Sequence, residues 1–147
     1  MDLLDRIAAW TGAVVSVLGL AWRLITWRVS RHKIHVTVTN IIIPNPGSEP
    51  TQLVRIKAVN SGPDRTMVVN WGVLAKGFGE IGLMRQFPHT SKVPASLGQN
   101  EYVEFYIHAQ DLRQLNANES IPFKRMIPWV ELSNDQRIYC RRHVPIA

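Results

Sequence analysis

A glycine pattern is the feature of this 147-residue chain that most suggests chemistry. Gly77-Phe78-Gly79-Glu80-Ile81-Gly82 matches G-x-G-x-x-G, which in dinucleotide sites lies between a strand and a helix whose N-terminus binds the pyrophosphate. A strand is predicted before the glycine pattern. After the pattern, only residues 83–87 precede Pro88, which leaves no room for that helix. We therefore predict a flexible or bulged connection between strands here, and no cofactor.

The single cysteine is the second candidate for chemistry. Cys140 precedes the basic residues 141–143, and nearby positive charge can lower the pKa of a thiol. Strand alternation, however, places Cys140 on the face of Ile138 and Val144, which predicts a buried, unreactive thiol. One cysteine cannot form an internal disulfide and fits a reducing compartment. The five histidines show no metal-ligand spacing on a helix, so no metal site is predicted.

Four carboxylates are the remaining candidates, for acid–base chemistry: Glu101, Glu104, Asp111 and Asp135. Nothing in their spacing brings two of them together, and solvated surface acids are the expected default. No P-loop, G-x-S-x-G or H-E-x-x-H pattern is present in the sequence. The sequence therefore predicts a protein that is not an enzyme. A hydrolase or thiol enzyme is an alternative that would require Cys140→Ala to abolish activity.

The charge balance points to anionic partners without selecting one. The formal net charge is +6, and no block of five like charges marks a nucleic-acid tail. A basic patch is possible at Lys124, Arg125, Arg137, Arg141 and Arg142. Few aromatic residues are interleaved with these, so we do not expect nucleic acid as a partner. Membrane lipid is the better-motivated partner because of the first 33 residues.

The N-terminal segment is apolar on every face. Ile7 to Trp22 is a run of 16 uncharged residues, and a helix of this kind must be buried in protein or in lipid. The rest of the chain is predicted to be too small and too rich in strands to bury it. We predict a single transmembrane helix within a first domain at residues 1–33. A helix lying flat in the interface and a buried soluble helix are the alternatives.

The residues that flank the apolar run predict its orientation. Four basic residues follow the run and one precedes it, which places the N-terminus outside and the C-terminal domain in the cytoplasm, at the inner membrane. Aromatic residues favour the headgroup level, and basic residues favour anionic lipid. The predicted headgroup contacts are Trp10, Trp22, Trp27, Arg28, Arg31 and Lys33.

One helical face carries small residues four apart, a spacing that lets helices approach closely in lipid. At 100° per residue, Ala8, Gly12, Ser16, Gly19 and Arg23 fall within one stripe of 80°. We predict that this stripe mediates self-association and that the protein is a homo-oligomer. Small residues are also common in membrane spans without such a role, which is the alternative.

After Lys33 the apolar period changes from helical to two, which predicts strands. Three inward faces are predicted, at Val54/Ile56/Ala58, at Met67/Val69/Trp71/Val73 and at Val103/Phe105/Ile107. Residues 75–100 should form loops with one or two short strands, and residues 111–115 a single helical turn. The predicted strands are residues 34–43, 52–59, 66–74 and 101–108, followed by a terminal hairpin of 129–132 and 137–144.

Six or more short strands with turns between them predict a mainly β second domain at residues 34–147, an antiparallel β-sandwich of immunoglobulin-like type. Three motifs resemble a group of uncharacterised bacterial and phage proteins with one N-terminal span and a small β-sandwich. The motifs are Val59-Asn60-Ser61-Gly62, Leu97-Gly98-Gln99-Asn100-Glu101 and Asp135-Gln136-Arg137-Ile138-Tyr139. The group has glycine at the position of Gln136. The resemblance implies the fold and the anchor, and no activity.

We predict a non-enzymatic, membrane-anchored cytoplasmic β-sandwich that recruits or positions a protein partner. Its predicted partner surface is the irregular stretch 75–100, with Phe78, Met84 and Phe87, although these residues could instead cap the core. The alternative is an oligomeric pore-forming or depolarising effector, as in phage or defence systems. There the small-residue stripe and Arg23 would form the pore, and the sandwich would sense a signal.

Overall fold

A computed structural model describes residues 3–29, 33–81 and 87–146 and divides the chain into two units, Met1–Arg31 and His32–Ala147. The first unit is one helix, α1, at Leu3–Val29. Its described side chains, at positions 10 and 12–26, are all exposed. Two hydroxyl groups donate back to the helix, Ser16 Oγ to Gly12 O at 2.8 Å and Thr26 Oγ1 to Trp22 O at 2.9 Å. The predicted helix is therefore present.

In the part of the chain that the structure describes, no helix is long and apolar enough to cross a membrane. The predicted transmembrane span is accordingly not confirmed.

The second unit contains two antiparallel sheets. The strands are β1 Ile34–Ile43, β2 Thr51–Asn60, β3 Thr66–Ala75, β4 Gly79–Ile81, β5 Ala95–Leu97, β6 Tyr102–His108, β7 Met126–Leu132 and β8 Arg137–Tyr139. The three-stranded sheet has the order β1-β2-β6, and the five-stranded sheet has the order β4-β3-β7-β8, with β5 also paired to β3. A helix, α2, follows β6 at Ala109–Glu119, and a 3-10 turn precedes β7 at Phe123–Arg125. This mainly β architecture is confirmed and is consistent with a β-sandwich.

The core forms from alternate residues of both sheets. The predicted inward faces of β2 (Val54/Ile56/Ala58) and β6 (Val103/Phe105/Ile107) are buried. Phe105 of the three-stranded sheet stacks on Trp71 of the five-stranded sheet, with ring centroids 4.6 Å apart and planes at 13°. A fully buried aromatic side chain stabilises the fold by about 1.5–3 kcal/mol relative to exposure, so this contact is a main link between the layers.

The predicted inward face of β3 is wrong in its first half. Met67 is 39% exposed and Val69 is only half-buried, whereas Thr66 and Val68 are buried. The pairing with β7 shifts register between Val68 and Asn70. An extra residue in one strand reverses its alternation, so Trp71, Val73 and Ala75 then point inward.

The C-terminal elements also differ from the prediction. Helix α2 has 11 residues, not one turn, because Ala109 and Leu112 are buried against the core. Strand β8 ends at Tyr139 instead of Val144. Cys140 N donates to Pro128 O at 2.7 Å, but Pro128 has no N–H to return the second bond of that pair, so regular pairing stops there. Cys140 and Val144 are nevertheless buried, as predicted.

Two motifs of the sequence meet at one buried junction. The Asn60 side chain is fully buried, and its Nδ2 donates to Asp64 O at 2.7 Å and to Leu97 O at 3.1 Å. Its Oδ1 accepts from Gly62 N at 3.0 Å. Beside it, Gly98 N donates to Glu101 Oε2 at 2.6 Å. Both motifs therefore serve to hold turns.

The register shift in β3 can be tested with neighbouring substitutions. Val68→Asp should lower the free energy of unfolding by about 3 kcal/mol or more, because it buries a carboxylate in the core. Met67→Asp, one residue away, should cost no more than about 1 kcal/mol because the side chain is exposed. Chemical denaturation of the two full-length variants gives both values. Equal costs, or a larger cost at Met67, would contradict the bulge.

Candidate protein-binding surface

The glycine pattern forms the connection between β3 and β4, as predicted. Phe78 N donates to Ala75 O at 2.9 Å, and Gly77 and Gly79 have φ of +88° and +107°, which side chains rarely tolerate. The strand that follows pairs antiparallel with β3, so no βαβ unit forms here. Gly82 lies outside the described residues. Phe78 lies in this turn and is 54% exposed.

The other predicted partner residues lie elsewhere. Phe87 packs against the three-stranded sheet, with its ring centroid 5.6 Å from His89, 5.9 Å from Tyr106 and 5.6 Å from His108. Met84 lies outside the described residues. Phe78 belongs to a turn of the five-stranded sheet, so the structure places Phe78 and Phe87 on different sheets. The predicted partner surface stays a prediction.

Phe87 instead joins a surface on the outer side of the three-stranded sheet. Residues that alternate with the core positions point to this side. In the register, Lys57 lies between Thr37 and Glu104, and Arg55 lies between Thr39 and Tyr106. We name this surface the polar-aromatic face. It consists of Arg55, Lys57, Tyr102, Glu104, Tyr106, His108, Phe87 and His89.

Glu104 is the central acceptor of the polar-aromatic face. Arg55 Nη1 lies 3.5 Å and Lys57 Nζ 3.9 Å from Glu104 Oε1, and the Tyr106 hydroxyl donates to Oε2 at 2.7 Å. Arg55 Nε also donates to Thr39 Oγ1 at 3.1 Å. These ion pairs are partly exposed, so each stabilises the fold by only about 0–1 kcal/mol. Their main effect is to fix the side chains in place, with two cations against one anion.

Aromatic rings surround this charge cluster. Lys57 Nζ lies 3.8 Å from the centroid of the Tyr102 ring, which is a cation–π contact. Tyr102 is 55% exposed, and Tyr106 packs beside Phe87. Tyrosine and arginine are the residue types that dominate the binding energy of protein interfaces. The face therefore combines pre-positioned aromatic and basic side chains of the kind that bind protein partners.

Thr90 and Ser91 cover the edge of β6, and a hydrogen bond from Thr90 positions Phe87. Ser91 N donates to Glu104 O at 2.9 Å, and Glu104 N donates to Ser91 Oγ at 3.1 Å. Tyr106 N donates to Thr90 Oγ1 at 3.3 Å, and Thr90 N to Phe87 O at 2.9 Å. Hydroxyl side chains thus satisfy strand N–H groups, a pattern that sequence periodicity does not show.

The environment of Tyr106 alters its acidity. Burial, the hydrogen bond to Glu104 and the negative charge of Glu104 together raise the pKa of Tyr106 above its usual 10.0. All three disfavour the phenolate. The tyrosine hydroxyl is therefore a donor throughout the neutral pH range.

One residue of the predicted basic patch, Arg137, forms ion pairs. Arg137 is bound by Glu131 and Glu80, and hydrogen bonds to these two carboxylates raise its pKa. Its guanidinium lies 4.5 Å from the centroid of the Trp129 ring. The ring packs in turn on Gly72, where a Cβ would approach Trp129 Cζ2 to 2.9 Å. Arg137 is thus held by two carboxylates of the five-stranded sheet, and all five residues of the predicted patch are exposed: Lys124, Arg125, Arg137, Arg141 and Arg142.

The residues predicted for helix self-association lie on α1. A Cβ at Gly12 or Gly19 would meet nothing within 4 Å, and Ser16 and Arg23 are exposed. The Ala8 side chain lies outside the described residues. Of the predicted headgroup contacts, Trp10, Trp22 and Lys33 are exposed, whereas the side chains of Trp27 and Arg28 and the whole of Arg31 lie outside the description. Both assignments stay predictions.

The predicted acid–base candidates occupy separate structural places. Glu101 accepts from Gly98 N, and Glu104 binds Arg55, Lys57 and Tyr106. Asp111 lies in the first turn of α2, and Asp135 has a φ of +59° in the β7–β8 turn. Among the described residues, no group of three or more histidine, cysteine, aspartate and glutamate side chains is placed to hold a metal ion.

Comparison with models of known protein families finds no match for this sequence, and comparison with curated proteins finds none either. The resemblance to bacterial and phage proteins therefore stays a prediction.

The Tyr106 environment gives a direct test of the face. A difference absorbance titration of the wild-type protein against Tyr106→Phe should show that Tyr106 ionises above pH 10.0. Glu104→Gln should lower the pKa of Tyr106 toward 10.0 without restoring it fully, because burial still raises it. The matched control Glu131→Gln should change nothing. Because the folded-state pKa is raised, the free energy of unfolding should fall as the pH rises above 10.0, and Tyr106→Phe should lessen that fall. Ionisation of Tyr106 at or below pH 10.0 would contradict the described contacts.

Proposed function

We propose that this protein is a membrane-attached adaptor, in which α1 attaches the chain to the cytoplasmic membrane and the β-sandwich binds a protein partner in the cytoplasm. The observation that carries the proposal is the surface of α1. Nine large apolar side chains, 52–74% exposed, cover it. Exposed apolar surface on this scale favours lipid or another apolar surface. The nine are Trp10, Val14, Val15, Val17, Leu18, Leu20, Trp22, Leu24 and Ile25.

The charge distribution around α1 supports lipid as the contact and sets the proposed orientation. Arg28, Arg31 and Lys33 follow the apolar residues in sequence, and each basic residue near an anionic leaflet contributes about 1 kcal/mol. Basic residues favour the cytoplasmic side. The buried free thiol of Cys140 is compatible with the reducing cytoplasm.

The polar-aromatic face is the proposed partner-binding surface. It has exposed Tyr102 beside Lys57, and its two cations exceed its single carboxylate, Glu104. We propose a partner that places an acidic side chain next to an apolar one, since that arrangement satisfies the excess charge and covers the ring. We also assign the two antiparallel sheets to an immunoglobulin-like sandwich, in which outer faces and edges commonly bind other proteins.

Membrane attachment is tested by fractionation of the full-length protein. We expect it to sediment with membranes at neutral pH. Val15→Lys combined with Leu18→Lys should release it, because each lysine costs about 2.5–3.5 kcal/mol at the centre of a span. The matched control, Val15→Leu with Leu18→Val, should stay bound. Alkaline carbonate then separates a spanning helix, which is retained, from an interfacial helix, which is released. Wild-type protein in the soluble fraction would overturn the proposal.

Partner binding is tested by placing a photoreactive phenylalanine analogue at Tyr102, with the same analogue at Phe78 as the matched exposed control. We expect one crosslinked protein in fixed proportion from Tyr102 and not from Phe78. Lys57→Ala should weaken that crosslink about 5- to 30-fold, the usual cost of losing a central interface residue. Crosslinks from Phe78 alone would reject the polar-aromatic face, and crosslinks from neither position would reject partner binding by both surfaces.

A further inference from the structure

The four sheet edges of the second unit differ in how they are protected. The free edge of β6 is covered by Thr90 and Ser91. On the five-stranded sheet, the outermost strands β4, β5 and β8 have three residues each, which is too short to pair extensively. Short or covered edges are the usual means of preventing pairing with another chain. Among the described residues, the remaining edge, that of β1, has neither form of protection.

Strand β1 is long, uncharged and apolar at one end. It has ten residues, IHVTVTNIII, without proline, lysine, arginine, aspartate or glutamate. Within the described chain it pairs with β2 alone. Ile42 is 64% and Ile43 37% exposed. Ten residues extend about 33 Å, so the strand offers a long row of backbone groups. This is the combination that favours strand addition.

We propose that β1 pairs antiparallel with β1 of a second copy of this chain, which joins two three-stranded sheets into one six-stranded sheet. A two-fold pair sets a strand against itself, so any charge near the centre would meet its own copy and repel it. The absence of lysine, arginine, aspartate and glutamate from β1 removes that barrier to self-pairing. Its valines, isoleucines and threonines are also the residues that favour cross-strand packing.

This pairing has a consequence for the outer surface. Thr37 and Thr39 of β1 lie beside Lys57 and Arg55, and in-sheet antiparallel pairing keeps the outer sides of both sheets on the same side. The polar-aromatic faces of two copies would therefore lie on one continuous surface, whether or not that surface binds a partner. The pairing itself does not depend on the proposed function.

Disulfide trapping tests the geometry in full-length protein. Single cysteines at His35, Thr37, Thr39 and Ile41, the outer positions of β1, are oxidised in detergent solution. We expect covalent dimers, twice the 16.7 kDa chain, with a maximum at one or two adjacent positions and lower yields on both sides. The parent chain, whose Cys140 is buried, should give none. Uniformly low or uniformly equal yields would overturn the antiparallel pairing.

A charge variant tests the proposal without relying on crosslinking. Thr37→Glu with Thr39→Glu should be tolerated by the monomer, because Lys57 and Arg55 are the cross-strand neighbours. Between two copies it sets like charges against each other, and we expect the dimer dissociation constant to rise at least tenfold. The matched control, Thr37→Val with Thr39→Val, keeps the edge uncharged and should remain dimeric. Light scattering gives the mass, and thermal denaturation verifies folding of each variant.

Three results would overturn the proposal. The first is that the wild-type chain is monomeric at every concentration at which the Glu variant is monomeric, so that the two proteins do not differ. A dimer could persist in the Glu variant and be lost in Gly12→Ile, which would place the interface on α1. Finally, the cysteines of β1 could crosslink only to a different protein in cells, which would make β1 the binding edge for a foreign strand.

Discussion

The second unit depends on the buried side chain of Asn60. This one amide lies where β2 of the three-stranded sheet ends, and it binds the following turn and Leu97 O of β5 in the five-stranded sheet. The backbone of the same residue donates to Glu101 O and accepts from Asn100 N. An amide left without these partners would cost about 1–3 kcal/mol for each unsatisfied buried group, so these hydrogen bonds strongly favour the observed junction. Both sheets are thereby held at a common point.

The position of the polar-aromatic face follows from that junction. Because Asn60 and Glu101 are joined, β2 and β6 are paired in the register that sets Lys57 opposite Glu104 and Arg55 opposite Tyr106. A shift of one residue would move Glu104 into the core and Phe105 to the outside. The stack of Phe105 on Trp71 opposes such a shift from the other side of the sheet. The core and the surface cluster therefore constrain the same register.

Alternation of apolar and polar residues made the regular strands predictable, whereas elements that depart from it were predicted wrongly or missed. Strand β6 alternates along its whole length and β2 does so from Val54 to Asn60, and the predicted inward residues of both strands are confirmed. The first half of the inward face of β3 was predicted wrongly, because the bulge near Val69 is set by pairing with β7. Helix α2 has weak helical patterning and depends on burial of Leu112. Phe87 could be singled out as an aromatic residue in an irregular segment, but its neighbours Tyr106 and His108 depend on which strands pair.

The carboxylates of this domain stabilise turns and join strands. Glu101 closes the turn at Gly98, Glu104 joins β2 to β6, and Glu80 and Glu131 hold Arg137 over Trp129. Each carboxylate accepts from a turn N–H or from side chains of the same sheet, which restricts its rotamers. A small β domain has few buried contacts to fix its outer surfaces, so ion pairs across strands provide that order instead. In the proposed partner binding, the contacts that already hold Tyr102, Tyr106 and Phe87 would reduce the conformational entropy lost on binding.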